Sequence, residues 1–291
     1  MYDIERYQNA RTIEEAIAML AGDPQATIIC GGSDVLIKAR EGELAGCSLV
    51  CIRDIEALSG IRMEDGGTIV IGPASTFAEV TQSEIIRKHI PTLGFATDQA
   101  GGPQLRNIGT IGGNVCNGMT SADSASTLLT LNAELEIQGA SGRRRVKLAD
   151  FYAGPKRVHL AHGELLIAIR IAKADYAGYG GHYIKYAMRN AMDIATLGCA
   201  VHVKMEGDVI ADLRLAFGVA APVPVRCYKA EEALRGMRLT EEVFARIGEL
   251  ALQEVSPRTS WRASKEFRVQ LVRELSARAL RQAIMSGGGA V

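Results

Sequence analysis

The chain has 291 residues, 47% of them hydrophobic, enough for two or three packed units that each bury a core. Lysine plus arginine and aspartate plus glutamate both number 33, a balance that argues against binding nucleic acid, an anionic membrane or an acidic polymer through overall charge. No run of about eighteen apolar residues occurs and the N-terminal Met-Tyr-Asp-Ile-Glu-Arg is unlike a signal peptide, so a soluble, cytoplasmic chain with no membrane insertion is expected.

In chain order, Thr12-Ile-Glu-Glu15 predicts a capping box, with Ile13, Ala16, Ile17 and Leu20 as the apolar stripe of a helix ended by Gly22. Ala26 to Cys30 predicts a short buried strand that runs into Gly31-Gly32-Ser33-Asp34 and then the helically spaced Val35, Leu36 and Ala39. A helix start after a glycine turn is a natural phosphate site, although a tight turn without a ligand has the same pattern. Neither G-x-G-x-x-G nor a lysine-bearing P-loop is present, so Rossmann and Walker sites are disfavoured. Short strands follow at 49–52 and 68–71, and Thr76-Phe-Ala-Glu79 predicts a second capping box opening a helix to about Lys88. Residues 91 to 106 predict helix broken at Gly101-Gly102-Pro103.

Asn107 to Asp123 gathers Gly109, Gly112, Gly113 and Gly118 among Thr110, Asn114, Asn117, Thr120 and Ser121. So little bulk lets a ligand approach the backbone, and a turn at Gly112-Gly113-Asn114 facing the one at Gly31-Gly32-Ser33 would clamp a pyrophosphate, mostly through backbone donors. Lys38, Arg40 and Arg106 are the nearby cations. Beyond it, 133–138 and 144–148 predict a hairpin and 165–171 a strand, and glycine-rich 177–181 marks a boundary. Strands at 183–187, 195–205 and 209–219 predict an antiparallel sheet, followed by helices near Glu232, over 240–253 and over 264–285. The tail from Ser286 is expected not to pack. Trp261 fits either a buried core tryptophan or a partner surface. The six scattered cysteines predict neither disulfides nor a metal site.

Two segments carry a specific resemblance. Ile28-Ile-Cys-Gly-Gly-Ser-Asp-Val-Leu36 resembles the first flavin motif, and Arg106-Asn-Ile-Gly-Thr-Ile-Gly-Gly-Asn114 the second, of FAD-binding medium subunits of molybdenum hydroxylases, in their bacterial xanthine dehydrogenase branch. The similarity continues through Thr120-Ser-Ala-Asp-Ser124, 185–194, 214–222 and 257–268.

The resemblance implies an α+β fold: a vanillyl-alcohol-oxidase-type (PCMH-type) FAD-binding domain over 1–175, with subdomains of about 1–56 and 57–175, and a C-terminal domain over 176–291 with an antiparallel sheet and a helical bundle. It implies cofactor contacts at Ile28, Ile29, Cys30, Gly31, Gly32, Ser33, Asp34 and Val35, and at Thr110, Ile111, Gly112, Gly113 and Asn114. Asp123 would bind the sugar-like chain, and Leu166 with Lys185 would approach the isoalloxazine. A cation there favours the anionic reduced flavin; without the resemblance, Lys185 is equally a strand-end lysine in solvent. Arg189 and Asp193 lie in a loop implied to gate NAD⁺, or form a salt-bridged bend. No acid or base is expected to be catalytic, because electrons would pass from iron–sulfur clusters on a small subunit through FAD to NAD. Molybdenum cofactor would sit on a large subunit of the same hetero-oligomer. Medium subunits acting with carbon monoxide, aldehyde, nicotinate or aryl-CoA enzymes, and a flavin-free scaffold, remain alternatives.

Overall fold

The computed structural model describes residues 2–289. The chain begins as β1 (Ile4–Asn9), α1 (Ile13–Gly22), β2 (Ala26–Ile29), α2 (Val35–Arg40) and β3 (Cys47–Cys51). The three strands pair in parallel in the order β1-β3-β2. Thr12 caps α1 by accepting the Glu15 N–H, but the Glu15 carboxylate reaches the Arg11 N–H instead of Thr12's, so only half of the expected capping box forms. The stripe Ile13, Ala16, Ile17 and Leu20 is buried against Val50 and Ile52, and Ile167 covers it from a later strand.

The middle of the chain runs β4 (Ile61–Met63), β5 (Ile69–Ile71), α3 (Phe77–Gln82), α4 (Glu84–His89), α5 (Pro91–Asp98), α6 (Pro103–Arg106), α7 (Ile111–Cys116) and α8 (Asp123–Thr130). Then come β6 (Glu134–Gly139), β7 (Gly142–Lys147), β8 (Tyr152–Gly154), β9 (Arg157–Val158) and β10 (Leu165–Ile171). Thr76 and Glu79 form both halves of their capping box. The single helix expected to Lys88 is two, because Ser83 ends α3 and caps α4 with its hydroxyl. A five-stranded sheet, β4-β5-β10-β6-β7, packs under these helices, and its edge strand β7 exposes Arg143, Arg144 and Arg145 in ion pairs with Glu134, Glu136 and Glu164. A charged edge of this kind resists pairing with another chain.

The last part is a four-stranded antiparallel sheet, β11 (Gly180–Tyr186), β12 (Leu197–Glu206), β13 (Val209–Gly218) and β14 (Val225–Arg226), covered by α9 (Tyr228–Leu234), α10 (Glu241–Ala251) and α11 (Lys265–Ser286). Val201, Leu215 and Phe217 from the sheet and Ile247, Val272 and Leu280 from the helices fill its core. Ser286, expected to lie in an unpacked tail, ends α11 and bonds both the N–H and the carbonyl of Gly181. Residues 290 and 291 of that tail lie outside the described residues. Trp261 is 77% exposed with Arg262 over its ring, so it is not a core residue. All six cysteines are unpaired.

Candidate functional site

The two glycine segments meet directly. A methyl group built on Gly31 would run into the carbonyl of Ile108 and come within 3.2 Å of the Gly109 Cα, so only glycine permits the approach. Thr110 contacts the thiol of Cys30, which burial pushes up and that contact partly opposes. Lys38 on α2 donates to the Asn117 side chain at 2.9 Å, tying the two segments a second time.

In the first segment Gly32 has φ +75°, a left-handed turn that glycine accepts without strain. The N–H groups of Gly31, Gly32, Ser33 and Asp34 have no partner among the described residues. Ile29 and Val35 anchor this turn in a small core with Leu49, and Ile28 packs on the other face of the sheet.

The second segment corrects the expected glycine turn. Gly112 and Gly113 lie in the first turn of α7, with Thr110 as its N-cap. The N–H of Ile111 bonds Ser75 and that of Gly112 bonds Pro73, while Gly113 donates to the Thr110 hydroxyl at 3.1 Å. These three backbone donors are therefore already used. Gly112 packs on Pro73 and has no room for a side chain, whereas a Cβ on the exposed Gly113 meets only the Thr110 hydroxyl, at 2.9 Å. Gly113 thus presents a bare surface. Asn114 reaches α8, accepting from the Ser124 hydroxyl at 2.7 Å.

Asp123 opens α8, and β11 brings two partners to it. Lys185 Nζ lies 3.0 Å from one carboxylate oxygen, and the Tyr183 hydroxyl donates to the other at 3.0 Å. Lys185 also donates to the Gln99 carbonyl at 2.9 Å, and its side chain is 6% exposed. It is therefore not a solvent lysine. Burial pushes the Asp123 carboxyl up, opposed by the Lys185 ammonium and the Tyr183 hydroxyl. Tyr183 is held well above its ordinary value by burial and by the Asp123 charge, so it remains a neutral donor.

Gln99 and Lys185 form one wall of a cleft of about 290 Å³ whose other wall is the loop from Tyr186 to Asp193. Asp193 shapes that loop by accepting from the N–H groups of Met188, Arg189 and Ile194. Burial raises its carboxyl, but these bonds and Arg189 outweigh that and leave it lowered. The exposed Arg189 is 3.7 Å from Asp193 and donates to Met192 at 2.7 Å. Leu166 is not at this cleft: it is 5% exposed and packs in the core with Ile111 and Ile137. Arg106 is committed to Asp98 at 3.1 Å. Tyr183 carries no motif of its own in the sequence, although its spacing of two from Lys185 on a strand puts both on one face. Among the described residues no cluster of His, Cys, Asp or Glu could hold a metal, and no helix is long and apolar enough to cross a membrane.

Residues 2–174 match the family described as the FAD binding domain in molybdopterin dehydrogenase, and residues 182–283 match the CO dehydrogenase flavoprotein C-terminal domain. The chain is 42% identical to a xanthine dehydrogenase FAD-binding subunit of Escherichia coli O157:H7 over 99% of both chains. It is 29% identical to a carbon monoxide dehydrogenase medium chain of Hydrogenophaga pseudoflava over 95% of this chain and 96% of that one. A solved chain of carbon monoxide dehydrogenase from Hydrogenophaga pseudoflava superposes with a TM-score of 0.94 at 28% identity, covering 98% of this chain and 99% of its own. With its PCMH-type architecture, the chain belongs to the FAD-binding medium subunits of molybdenum hydroxylases.

Proposed function

We propose that this chain is the FAD-binding subunit of a cytoplasmic xanthine dehydrogenase-type enzyme of purine metabolism, taking electrons from iron–sulfur clusters on a small partner and delivering them to NAD⁺. A large partner would hold the molybdenum cofactor and carry out the hydroxylation. The observation that carries this reading is the higher identity to the xanthine dehydrogenase subunit than to the carbon monoxide dehydrogenase medium chain, at nearly full coverage of both. The division near residue 175 is supported by the largely distinct cores of the middle and C-terminal sheets, with Ala216 of the latter reaching into the former.

The residues present fit FAD. N–H groups at Gly31 to Asp34 that have no partner among the described residues suit a pyrophosphate, and the bare face of Gly113 leaves space a side chain would fill. In this reading Ile28, Ile29, Cys30 and Val35 hold the donor turn from the core, and Thr110 to Asn114 close its other side. Asp123 accepts from a hydroxyl of the sugar-like chain, and Lys185 places a positive charge beside the ring. Leu166 contributes through the strand that supports them. When bound, FAD supplies the exchange between electrons arriving singly and their paired delivery to NAD⁺. Arg189 and Asp193 shape the loop over the cleft and thereby the access of NAD⁺. If Arg189→Gln reduces NAD⁺ as the parent does at equal FAD content, the gating role is removed.

The complex co-purified from its host, supplied with hypoxanthine and NAD⁺, should form NADH. Turnover of carbon monoxide, an aldehyde, nicotinate or an aryl-CoA instead of hypoxanthine would transfer the chain to another member of the family. A colourless subunit would leave only the scaffold.

A further inference from the structure

A third side chain, Tyr183, joins Asp123 and Lys185 in one hydrogen-bonded cluster. Tyr183 is 1% exposed, and its ring lies over Gly198 on the neighbouring strand, where a Cβ would come within 3.0 Å of the phenol oxygen. Ala96 of α5 and Ala200 of β12 close the pocket around the ring. The phenol is thus fixed with its hydroxyl on one oxygen of Asp123, while Lys185 occupies the other. Lys185 has two acceptors, Asp123 and the Gln99 carbonyl, which leaves one ammonium hydrogen without a partner among the described residues, beside the cleft it lines.

We propose that Tyr183 is a positioning residue of the flavin site: its hydroxyl fixes the orientation and charge of Asp123 and, through Asp123, the place of Lys185. This rests on the FAD reading above. The chemistry is a division of labour between two donors. Removing a hydrogen bond from a buried carboxylate favours its protonated form, and a protonated Asp123 no longer holds the ammonium by charge. Titratable groups on the other elements packed against α8 do not substitute for Tyr183, and none of them bonds Asp123. Cys199 of β12 and Cys116 of α7 are buried thiols held up by burial, and both stay neutral. Asp98 of α5 is half-exposed and paired with Arg106. His202 of β12 and Arg214 of β13 reach Thr130, at the opposite end of α8, and Arg226 of β14 bonds Leu129 there.

The test measures FAD affinity of the full-length chain, by quenching of FAD fluorescence, from about pH 5 to about pH 9. The parent should lose affinity along an acid limb as Asp123 takes a proton. Tyr183→Phe should move that limb up by about one pH unit, since one bond to the carboxylate is gone. Incorporation of 3-fluorotyrosine at position 183, an almost isosteric and stronger donor, should move it down, and serves even where the phenylalanine variant does not fold. Asp123→Asn should remove the limb. Coincident limbs for the parent and the fluorotyrosine protein, with the limb absent in Asp123→Asn, would overturn the role of Tyr183 while leaving the FAD site standing. A parent that does not quench FAD at any pH fails the FAD reading itself.

Discussion

Gly31-Gly32-Ser33-Asp34 and Gly109-Thr110-Ile111-Gly112-Gly113-Asn114 are built from the same small residues, each with one hydroxyl, and they touch. The first leaves its N–H groups without partners among the described residues, whereas the second commits three of them to Ser75, Pro73 and Thr110. The difference arises from the way neighbouring chain holds each segment. The first is a left-handed turn between a strand and a short helix, and the second is the capped first turn of a helix braced by the residues just before α3. Glycine content alone therefore does not mark a donor loop. In the first segment it allows the left-handed turn that leaves donors open, and in the second it clears a surface.

Changes at single positions separate these two roles. The largest effect is expected from Gly31→Ala, whose methyl group must push the Ile108 carbonyl aside. Overpacking of this sort costs about 1–3 kcal/mol, so both the unfolding midpoint and FAD content should fall. Retention of full yellow colour would show that the segments need not touch. Gly113→Val should abolish the colour with little change in unfolding midpoint. The gain of about 0.3 kcal/mol from replacing a helical glycine by β-branched valine offsets part of the displaced Thr110 cap, which leaves only a small net loss. Flavin bound at parental stoichiometry in that variant would end the assignment of Gly113 to the ligand face.

Thr110→Ala is milder, removing the cap of α7 at a cost of about 1 kcal/mol and weakening FAD without abolishing it, with Thr110→Ser restoring both. The smallest effect at neutral pH acts through His202, which supports the far end of α8 by its bond to Thr130. Burial, with the charges of Arg214 and Arg226, pushes its imidazole down to about 3. Because the unfolded ring titrates near about 6.5, the unfolded chain binds more protons in between. The stability contributed by the neutral ring is complete above that value and is lost as pH falls toward the folded value. The unfolding midpoint should drop over this window, and His202→Gln should flatten the drop.

Much of the fold was legible because its signals are local. Thr76 with Glu79, the alternation through β6, and the helical spacing along α11 each name an element within a few residues. The two helices inside 107–130 carried no such signal. The residues of α7 have low helix propensity, and every residue from Ser124 to Thr130 in α8 is buried, so neither composition nor a one-sided stripe marks them. Tertiary packing decides both. The glycines of the site were legible as a pattern, but which N–H groups are used depends on Pro73 and Ser75, more than thirty residues earlier in the chain. Lys185 could be read as a solvent lysine because its counter-ion lies 62 residues away.

Lys185 and Tyr183 also have a place in time. Asp123 leaves the ribosome well before β11, and until that strand has paired with β12 its carboxylate has neither counter-charge nor phenol. This cluster is thus completed only when β11 and β12 have been made, after both glycine segments. In the proposed FAD reading, flavin capture follows synthesis of β11 and β12, and a chain ending near residue 174 would carry both glycine segments without Tyr183 and Lys185.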